Sequence, residues 1–298
     1  MSEPQPGRPG FGQRLRAALD VYGPLCVGID PHEALLRLWG LDTSAAGVRE
    51  FGLRTVEAAA GRVGVVKPQV AFFERFGAAG FAALEEVMAA ARAAGLLVIA
   101  DAKRGDIGTT MDGYAAAWLA PGAPLECDAL TLSPYLGTDS LHAAFSMATA
   151  HEKGVFVLAA TSNPEASTLQ RARVDDEGES VAESVAHDVA ARSIGAPGSL
   201  GPIGLVVGAT VDRRAYGLSD IVLAGTPILA PGFGAQGAEP GDLQRLFGYV
   251  ASQVVASESR SILAAGSAGD AALARRVEER AALYGASQSG TVRSGTVR

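Results

Sequence analysis

An apolar run meets a charged one at Gly95-Leu96-Leu97-Val98-Ile99-Ala100-Asp101-Ala102-Lys103-Arg104-Gly105-Asp106. The first six residues are aliphatic without a polar alternation, a pattern that predicts a strand buried on both faces and ending near Ala100. In extended backbone the side chains of Asp101 and Lys103 project from the same side, with their Cα atoms about 6–7 Å apart. A carboxylate and an ammonium can therefore contact the same ligand in the loop after this strand.

The meaning of this Asp-x-Lys-x-x-Asp string depends on how the chain uses lysine. The string alone fits a solvated surface loop as well as a functional site. Of 25 basic residues, however, only Lys67, Lys103 and Lys153 are lysine, so arginine fills the ordinary surface positions. Lys67 and Lys103 follow apolar runs, and an amine can lose its proton where a guanidinium cannot. This usage favours a functional role for those two, whereas Lys153 precedes an apolar run and is predicted to be structural.

Eight apolar segments alternate with segments of helical periodicity along the chain. The predicted strands cover residues 25–31, 63–69, 95–100, 128–135, 154–161, 203–209, 227–231 and 252–257. This alternation predicts a single α/β domain, a closed (β/α)8 TIM barrel over residues 11–286. Residues 1–10 are expected to be a flexible lead-in and residues 287–298 a disordered tail. The alternative, a doubly wound open sheet, needs a nucleotide fingerprint after its first strand, and no GxGxxG follows strand one here.

Two of the predicted helices frame the barrel. Residues 11–21 have the amphipathic spacing of a short helix that would close one end of the domain. Residues 72–94 are rich in alanine and carry apolar side chains at helical spacing, which predicts one long helix packed on the sheet.

Polar residues stand at or just after the C-terminal ends of the predicted strands. They are Asp30, Lys67, Asp101, Lys103, Ser162, Gln236 and Arg260. A closed barrel brings all such positions to one face, where enzymes of this architecture build their sites. Taken singly, Asp30 and Ser162 could cap helices, Gln236 could cap a turn and Arg260 could be a surface arginine. The place of Arg260 after strand eight favours phosphate binding.

Composition limits the classes of function. The net charge of −7 and the lack of a basic run argue against nucleic-acid binding. Cys26 and Cys127 lie in apolar runs and are interpreted as core thiols, and the four histidines lack metal-ligand spacing, so no metal site is expected. The first residues lack the apolar core of a signal peptide, and no apolar run reaches the ~20 residues of a membrane span. A cytoplasmic location is the expectation.

The region around Asp101 resembles the signature of the orotidine 5′-phosphate decarboxylase family, whose members make UMP in pyrimidine synthesis. The matching motif is Asp101-x-Lys103-x-x-Asp106, followed by Ile107 and Thr110. The resemblance extends over about residues 20–285, with matching positions in the expected order at Val27-Gly28-Ile29-Asp30, Lys67, Ser162, Gln236 and Arg260. The runs 67–74 (KPQVAFFE) and 161–164 (TSNP) are similar to the longer bacterial branch of that family.

The resemblance implies a decarboxylation that uses neither a cofactor nor a metal. It makes Lys103 the proton donor to carbon 6 of the pyrimidine and places Asp101 against the substrate carboxylate. Lys67 and Asp106 would complete an alternating row of charges. In this family the second aspartate of the signature comes from the neighbouring subunit, so the resemblance implies a homodimer with shared active sites. Two further residues would cross the interface with it, Ile107 and Thr110.

The same resemblance implies how the rest of the substrate is held. Asp30 and Lys67 would bind ribose hydroxyls, and Ser162 would bind the pyrimidine amide. Gln236 and Arg260 would bind the phosphate. A loss of carbon dioxide without a cofactor leaves a carbanion, which must be stabilised electrostatically and protonated at once, and a fixed ammonium can do both.

Other functions stay open on the sequence alone. A magnesium-dependent sugar-phosphate decarboxylase or synthase shares the Asp-x-Lys-x-x-Asp layout, although the loop with Gln236 favours the first interpretation. A catalytically silent barrel that binds a phosphate ligand would not need Asp101, Lys103 and Asp106 together. A Schiff-base aldolase is disfavoured, because flanking carboxylates would keep the lysine protonated and therefore not nucleophilic.

Overall fold

Eight parallel strands form one closed barrel in the computed structural model, which describes residues 9–174 and 178–289. Each strand pairs with the next in the chain, and the last closes on the first through pairs such as Val27 with Glu258. The strands are β1 Leu25–Ile29, β2 Val65–Pro68, β3 Leu97–Arg104, β4 Ala129–Leu132, β5 Gly154–Ala160, β6 Ile203–Val207, β7 Ile228–Pro231 and β8 Val254–Glu258. The predicted (β/α)8 TIM barrel is confirmed.

Helices follow the strands around the outside of the barrel. The α-helices of the described residues are α1 Phe11–Tyr22, α2 Glu33–Leu38, α3 Ala45–Ala59, α4 Ala71–Glu74, α5 Gly77–Ala93, α6 Gly108–Leu119, α7 His142–Ala150, α8 Ala166–Gln170, α9 Val181–Arg192, α10 Asp220–Leu223, α11 Leu243–Phe247, α12 Arg260–Leu263 and α13 Asp270–Ser289. Short 3₁₀ helices cover Thr138–Leu141, Arg213–Tyr216, Pro240–Asp242, Gly248–Gln253 and Ala264–Ala268.

Helix α1 closes the N-terminal end of the barrel, as its amphipathic spacing predicts. Phe11 and Leu15 are buried among the side chains of the barrel interior. The ring of Phe11 meets Phe156 edge to face, with centroids 6.1 Å apart. It also fills the space that a Cβ atom at Gly154 would need, so this position at the start of β5 requires glycine. The closed end leaves the opposite, C-terminal end open for a ligand.

Buried charges at the closed end are paired. Lys153 is 1% exposed, and its Nζ lies 2.6 Å from Glu126 Oε1. This contact confirms the structural role predicted for Lys153. The two cysteines are also buried, as predicted, and burial raises the pKa of the Cys26 and Cys127 thiols to about 12.

Strand β3 is longer than predicted. It was expected to end near Ala100 but continues to Arg104, so that Asp101 and Lys103 belong to the strand and not to a loop. The pairing with β4 shifts between Ala100 and Arg104 and resumes where Arg104 pairs with Leu132. This bulge could not be predicted from the side-chain pattern, because it depends on the backbone hydrogen bonds between β3 and β4.

One predicted helix and the expected start of the C-terminal tail differ from the structure. The predicted helix over 72–94 is divided into α4 and α5, because the chain turns at Gly77 with a φ of 59°. Helix α13 continues to Ser289, past the expected start of the tail at 287, since Gly285 weakens a helix by only about 1 kcal/mol. Of the predicted terminal segments, residues 1–8 and 290–298 lie outside the described residues.

Candidate active site

A cavity of about 620 Å³ opens at the C-terminal ends of the strands. Seven of the predicted site residues line it, namely Asp30, Lys67, Asp101, Lys103, Ser162, Gln236 and Arg260. They come from six different strands or from the loops directly after them. Closure of the barrel therefore brings these positions together, although up to 230 residues separate them in the sequence, from Asp30 to Arg260.

Two lysines and one aspartate form a row of charges on the wall of this cavity. Lys67 Nζ lies 2.9 Å from Asp101 Oδ2, and Lys103 Nζ lies 2.6 Å from Asp101 Oδ1. The side chains of Lys67 and Asp101 are 7% and 10% exposed, whereas that of Lys103 is 44% exposed. Lys103 is therefore the ammonium of the row that is open to a ligand.

The row stays charged in spite of its burial. Burial acts to raise the pKa of Asp101, but the ammonium groups of Lys67 and Lys103 outweigh it and hold that pKa well below its usual range. Burial likewise acts to lower the pKa of Lys67, but the carboxylates of Asp101 and Asp30 outweigh it and raise that pKa. Asp101 and Lys67 thus stay ionised because each lies beside a group of opposite charge.

Replacing Asp101 by asparagine should lower the free energy of unfolding at pH 7 by about 3–5 kcal/mol, because the Lys67 ammonium would remain buried without its nearest counter-charge. The folded-state pKa of Asp101 is depressed below the unfolded value of about 3.9. Its stabilisation is therefore present above that pH and is lost as the pH falls. Urea unfolding of wild type and Asp101→Asn near pH 7 and near pH 3 measures both effects.

The difference in unfolding free energy between the two proteins should shrink near pH 3. Glu57→Gln is the matched control, because Glu57 is an exposed carboxylate on α3, and it should change stability by no more than about 0.5 kcal/mol. A difference for Asp101→Asn that is equal at both pH values would contradict the assigned charge state.

Two residues that support the row were missed by sequence reasoning. Thr131, 1% exposed in β4, donates from its hydroxyl to Asp101 Oδ1 at 3.0 Å and accepts from the Lys103 N–H at 2.9 Å. The Gln69 amide fits between the charges when its nitrogen faces Asp101 Oδ2 (2.5 Å) and its oxygen faces Lys103 Nζ (3.2 Å). The sequence contained a signal for each. Thr131 is a hydroxyl residue within an apolar strand, and Gln69 is an amide residue two positions after Lys67.

The backbone at Lys103 is strained. Its φ is 49°, and Glu152 is the other non-glycine residue with positive φ in the part of the chain that the structure describes. A long side chain in this region costs of order 1 kcal/mol or more and persists only where the surroundings hold it. Here the Thr131 hydroxyl holds the Lys103 N–H. The strain occurs where the ammonium is aimed at the cavity.

Three predicted residues lie apart from the cavity of their own chain. Asp106, Ile107 and Thr110 are not among the side chains that line it. Asp106 Oδ1 accepts a hydrogen bond from the Ile107 N–H at 2.8 Å, and the Ile107 side chain is 62% exposed. The single chain therefore brings seven of the ten predicted residues to one cavity, and these three are not part of its lining.

The far end of the cavity is built from the loops after β5, β7 and β8. The Ser162 hydroxyl reaches Gln236 Oε1 at 3.4 Å, across the mouth of the barrel. Arg260 lies at the start of α12, next to Ser259. Among the described residues, Ser259 Oγ and Asp30 Oδ1 are buried without a hydrogen-bond partner. Asp30 Oδ1 can accept a hydrogen bond from a polar ligand, and the Ser259 hydroxyl can donate or accept one.

Comparison with known proteins identifies the family. The family model described as Orotidine 5′-phosphate decarboxylase / HUMPS family matches residues 23–275. The chain belongs to this family. Among its relatives, a Streptomyces coelicolor protein named orotidine 5′-phosphate decarboxylase is 53% identical over 254 residues, 85% of this chain and 89% of its own length. A Salinispora arenicola protein of the same name is 50% identical over 256 residues, 86% of this chain and 90% of its own.

A solved structure extends the family relationship to three dimensions. A Streptomyces avermitilis protein assigned as an orotidine 5′-phosphate decarboxylase matches with a TM-score of 0.89 and 47% identity. The match covers 95% of this chain and 97% of that protein. The similarity in three dimensions therefore extends over nearly the whole chain and is not confined to the segment around Asp101.

The described residues contain no group of three His, Cys, Asp or Glu side chains placed to hold a metal ion. Nor does any helix described in residues 9–174 and 178–289 combine the length and the apolar character that a membrane span requires.

Proposed function

We propose that the chain converts orotidine 5′-phosphate to UMP and carbon dioxide without a cofactor. The observation that carries this proposal is the row Lys67–Asp101–Lys103, held at 2.9 and 2.6 Å, in which Lys103 is the most exposed member. The family and the names of the 50–53% identical relatives support the choice of substrate.

In the proposed reaction the bond between carbon 6 and the carboxylate breaks, and its electron pair stays on carbon 6 while carbon dioxide leaves. The Lys103 ammonium lies close to that carbon, stabilises the developing negative charge and transfers a proton from Nζ to it. Asp101 keeps Lys103 and Lys67 in place through its two oxygens. The neutral Lys103 amine then takes up a proton from water, which restores the site.

The remaining lining residues fit the rest of the nucleotide. The unpartnered Asp30 Oδ1 and the Lys67 ammonium would bind ribose hydroxyls. Ser162 would bind the pyrimidine amide, and Gln236 beside it would reach the phosphate together with Arg260. Binding energy gathered at the phosphate would position the reacting ring against Lys103.

We further propose a homodimer in which Asp106, Ile107 and Thr110 enter the partner's cavity. The absence of all three from their own cavity supports this arrangement. So does the exposure of apolar side chains on the neighbouring loops, since Ile107 is 62% and Tyr135 77% exposed. An apolar surface beside an incomplete row of charges fits an interface between two copies.

The proposed activity is tested by following the ultraviolet absorbance of orotidine 5′-phosphate with purified protein, with and without excess EDTA. We expect rapid conversion to UMP at the same rate in both samples. A loss of turnover in EDTA that magnesium restores would contradict the metal-independent mechanism. We also propose a cytoplasmic location, as expected from the sequence.

A sugar-phosphate decarboxylase or synthase is the second candidate, because the matching family description also includes HUMPS members. No turnover of orotidine 5′-phosphate together with magnesium-dependent activity on a sugar phosphate would favour it. Tight UMP binding with no turnover of either substrate would instead indicate a barrel that only binds phosphate ligands.

A further inference from the structure

A fully buried carboxylate lies directly before the proposed phosphate site. Glu258 is the last residue of β8, and its side chain has 0% exposure. Arg280 of α13 donates to it from Nε (2.9 Å to Oε2) and from Nη2 (2.8 Å to Oε1). Oε1 also accepts from the Tyr284 hydroxyl at 2.7 Å, and Oε2 from the Ser261 hydroxyl at 2.7 Å. We call Glu258, Ser261, Arg280 and Tyr284 the β8 anchor.

The charge of Glu258 is balanced within this anchor. A buried carboxylate close to a bound phosphate would repel it unless a cation is paired with the carboxylate. The fork of Arg280 supplies that cation and makes contacts with both Glu258 oxygens. Burial and the neighbouring Glu258 raise the pKa of Tyr284, so that its hydroxyl keeps the proton that it donates. The anchor can therefore lie next to an anion-binding site without repelling the anion.

The anchor also holds the loop between β7 and the following 3₁₀ helix, residues 232–239. Arg280 donates from Nη1 and Nη2 to Glu239 Oε2, at 3.2 and 3.1 Å. The ring of Phe233 packs edge to face on Tyr284, with centroids 5.7 Å apart. Gly234, with φ 71°, leaves no room for a Cβ atom because one would lie 2.3 Å from Ser261 Oγ. The loop thus contacts the anchor at its start and at its end.

Both proposed phosphate ligands depend on these contacts. Arg260 lies between Glu258 and Ser261 of the anchor in the sequence, and Gln236 lies at the middle of the loop that the anchor holds. One helix, α13, therefore fixes two segments that come from different strands. A displacement of about 1 Å in such a binding group can cost on the order of 100-fold in rate.

We infer that Arg280 and Glu239 are positioning residues for the phosphate of the substrate. They do not touch it, but they join α13 to the loop with Gln236 and to the strand end with Arg260. This inference rests on the proposed function. It assigns to the C-terminal helix a part in substrate recognition that the family motif around Asp101 does not reveal.

The test compares ligands with and without the phosphate. We expect Arg280→Met to raise the KM for orotidine 5′-phosphate and the Kd for UMP by about 10- to 100-fold, with the Kd for uridine changed by no more than about twofold. Arg276→Met is the matched control, because Arg276 lies one turn earlier on α13, is 45% exposed and pairs with Glu279. That control should leave all three constants unchanged.

Glu239→Gln provides a second variant that keeps the buried pair intact. Glu239 is 60% exposed, so its replacement leaves Glu258 and Arg280 together and should not unfold the barrel. We expect a rise of about two- to fivefold in the Kd for UMP, again without a change for uridine. If Arg280→Met does not fold, this variant alone decides the question.

Two outcomes would overturn the inference. One is an equal weakening of UMP and uridine binding in Arg280→Met or Glu239→Gln. The other is unchanged UMP binding in a folded variant of either kind. Wild-type turnover of orotidine 5′-phosphate, measured first, separates these failures from a failure of the proposed function, because in the latter case the wild type itself would not convert the substrate.

Discussion

Replacing Lys103 by alanine is expected to reduce kcat by about 10⁴-fold or more and to leave the barrel folded. The loss combines proton donation, worth about 10²–10⁴-fold, with electrostatic stabilisation of the carbanion, worth about 10²–10³-fold. The variant should fold because the Lys103 side chain is 44% exposed and Lys67 still pairs with the buried Asp101. Single-turnover absorbance and thermal unfolding, measured on the same preparation, give both quantities.

Lys103→Arg is the matched control for this experiment. It keeps a positive charge near Asp101 but holds its proton too tightly to donate it at neutral pH. We expect it to bind UMP about as well as wild type and to remain nearly inactive. Turnover within about tenfold of wild type in either variant would show that Lys103 is not the proton donor, and would direct attention to Lys67, the other ammonium of the row.

The sequence was sufficient to predict the barrel, because strand polarity and order follow from local patterns. Buried strands are aliphatic runs, and parallel neighbours need a helix between them, so alternation alone indicates the architecture. The bulge that carries Asp101 and Lys103 into β3 was not predicted. The bulge depends on how β3 and β4 pair through their backbone hydrogen bonds. That pairing does not alter the pattern of apolar and polar residues in either strand.

Some site residues could be predicted from the local sequence, whereas others depend on partners that are distant in the chain. Asp30, Lys67 and Lys103 could be predicted as site residues because each is a polar residue that follows an apolar run. Glu258 also ends a strand, but its role depends on Arg280, which lies 22 residues further along the chain. A buried glutamate and an exposed one look the same in the sequence. What separates them is a partner that only the folded chain brings within hydrogen-bond distance.

Mixing Lys103→Ala with Asp106→Ala is expected to restore activity that neither variant has alone. If Asp106 enters the partner's cavity, a mixed dimer has one site with both defects and one with none. Equal mixing and free exchange of subunits make half of the dimers mixed, so about a quarter of the wild-type activity should return. The measurement is turnover of orotidine 5′-phosphate after the two proteins are mixed under conditions that allow subunits to exchange.

Mixing Lys103→Ala with Asp101→Asn supplies the control. Both residues line the cavity of their own chain, so each site of a mixed dimer keeps one defect and no activity should return. Recovery in the first mixture and not in the second would place Asp106 in the partner's site. If neither mixture recovers although mixed dimers form, Asp106 acts within its own chain, and the exposed loop at Ile107 must move toward its own Lys103 when the substrate binds.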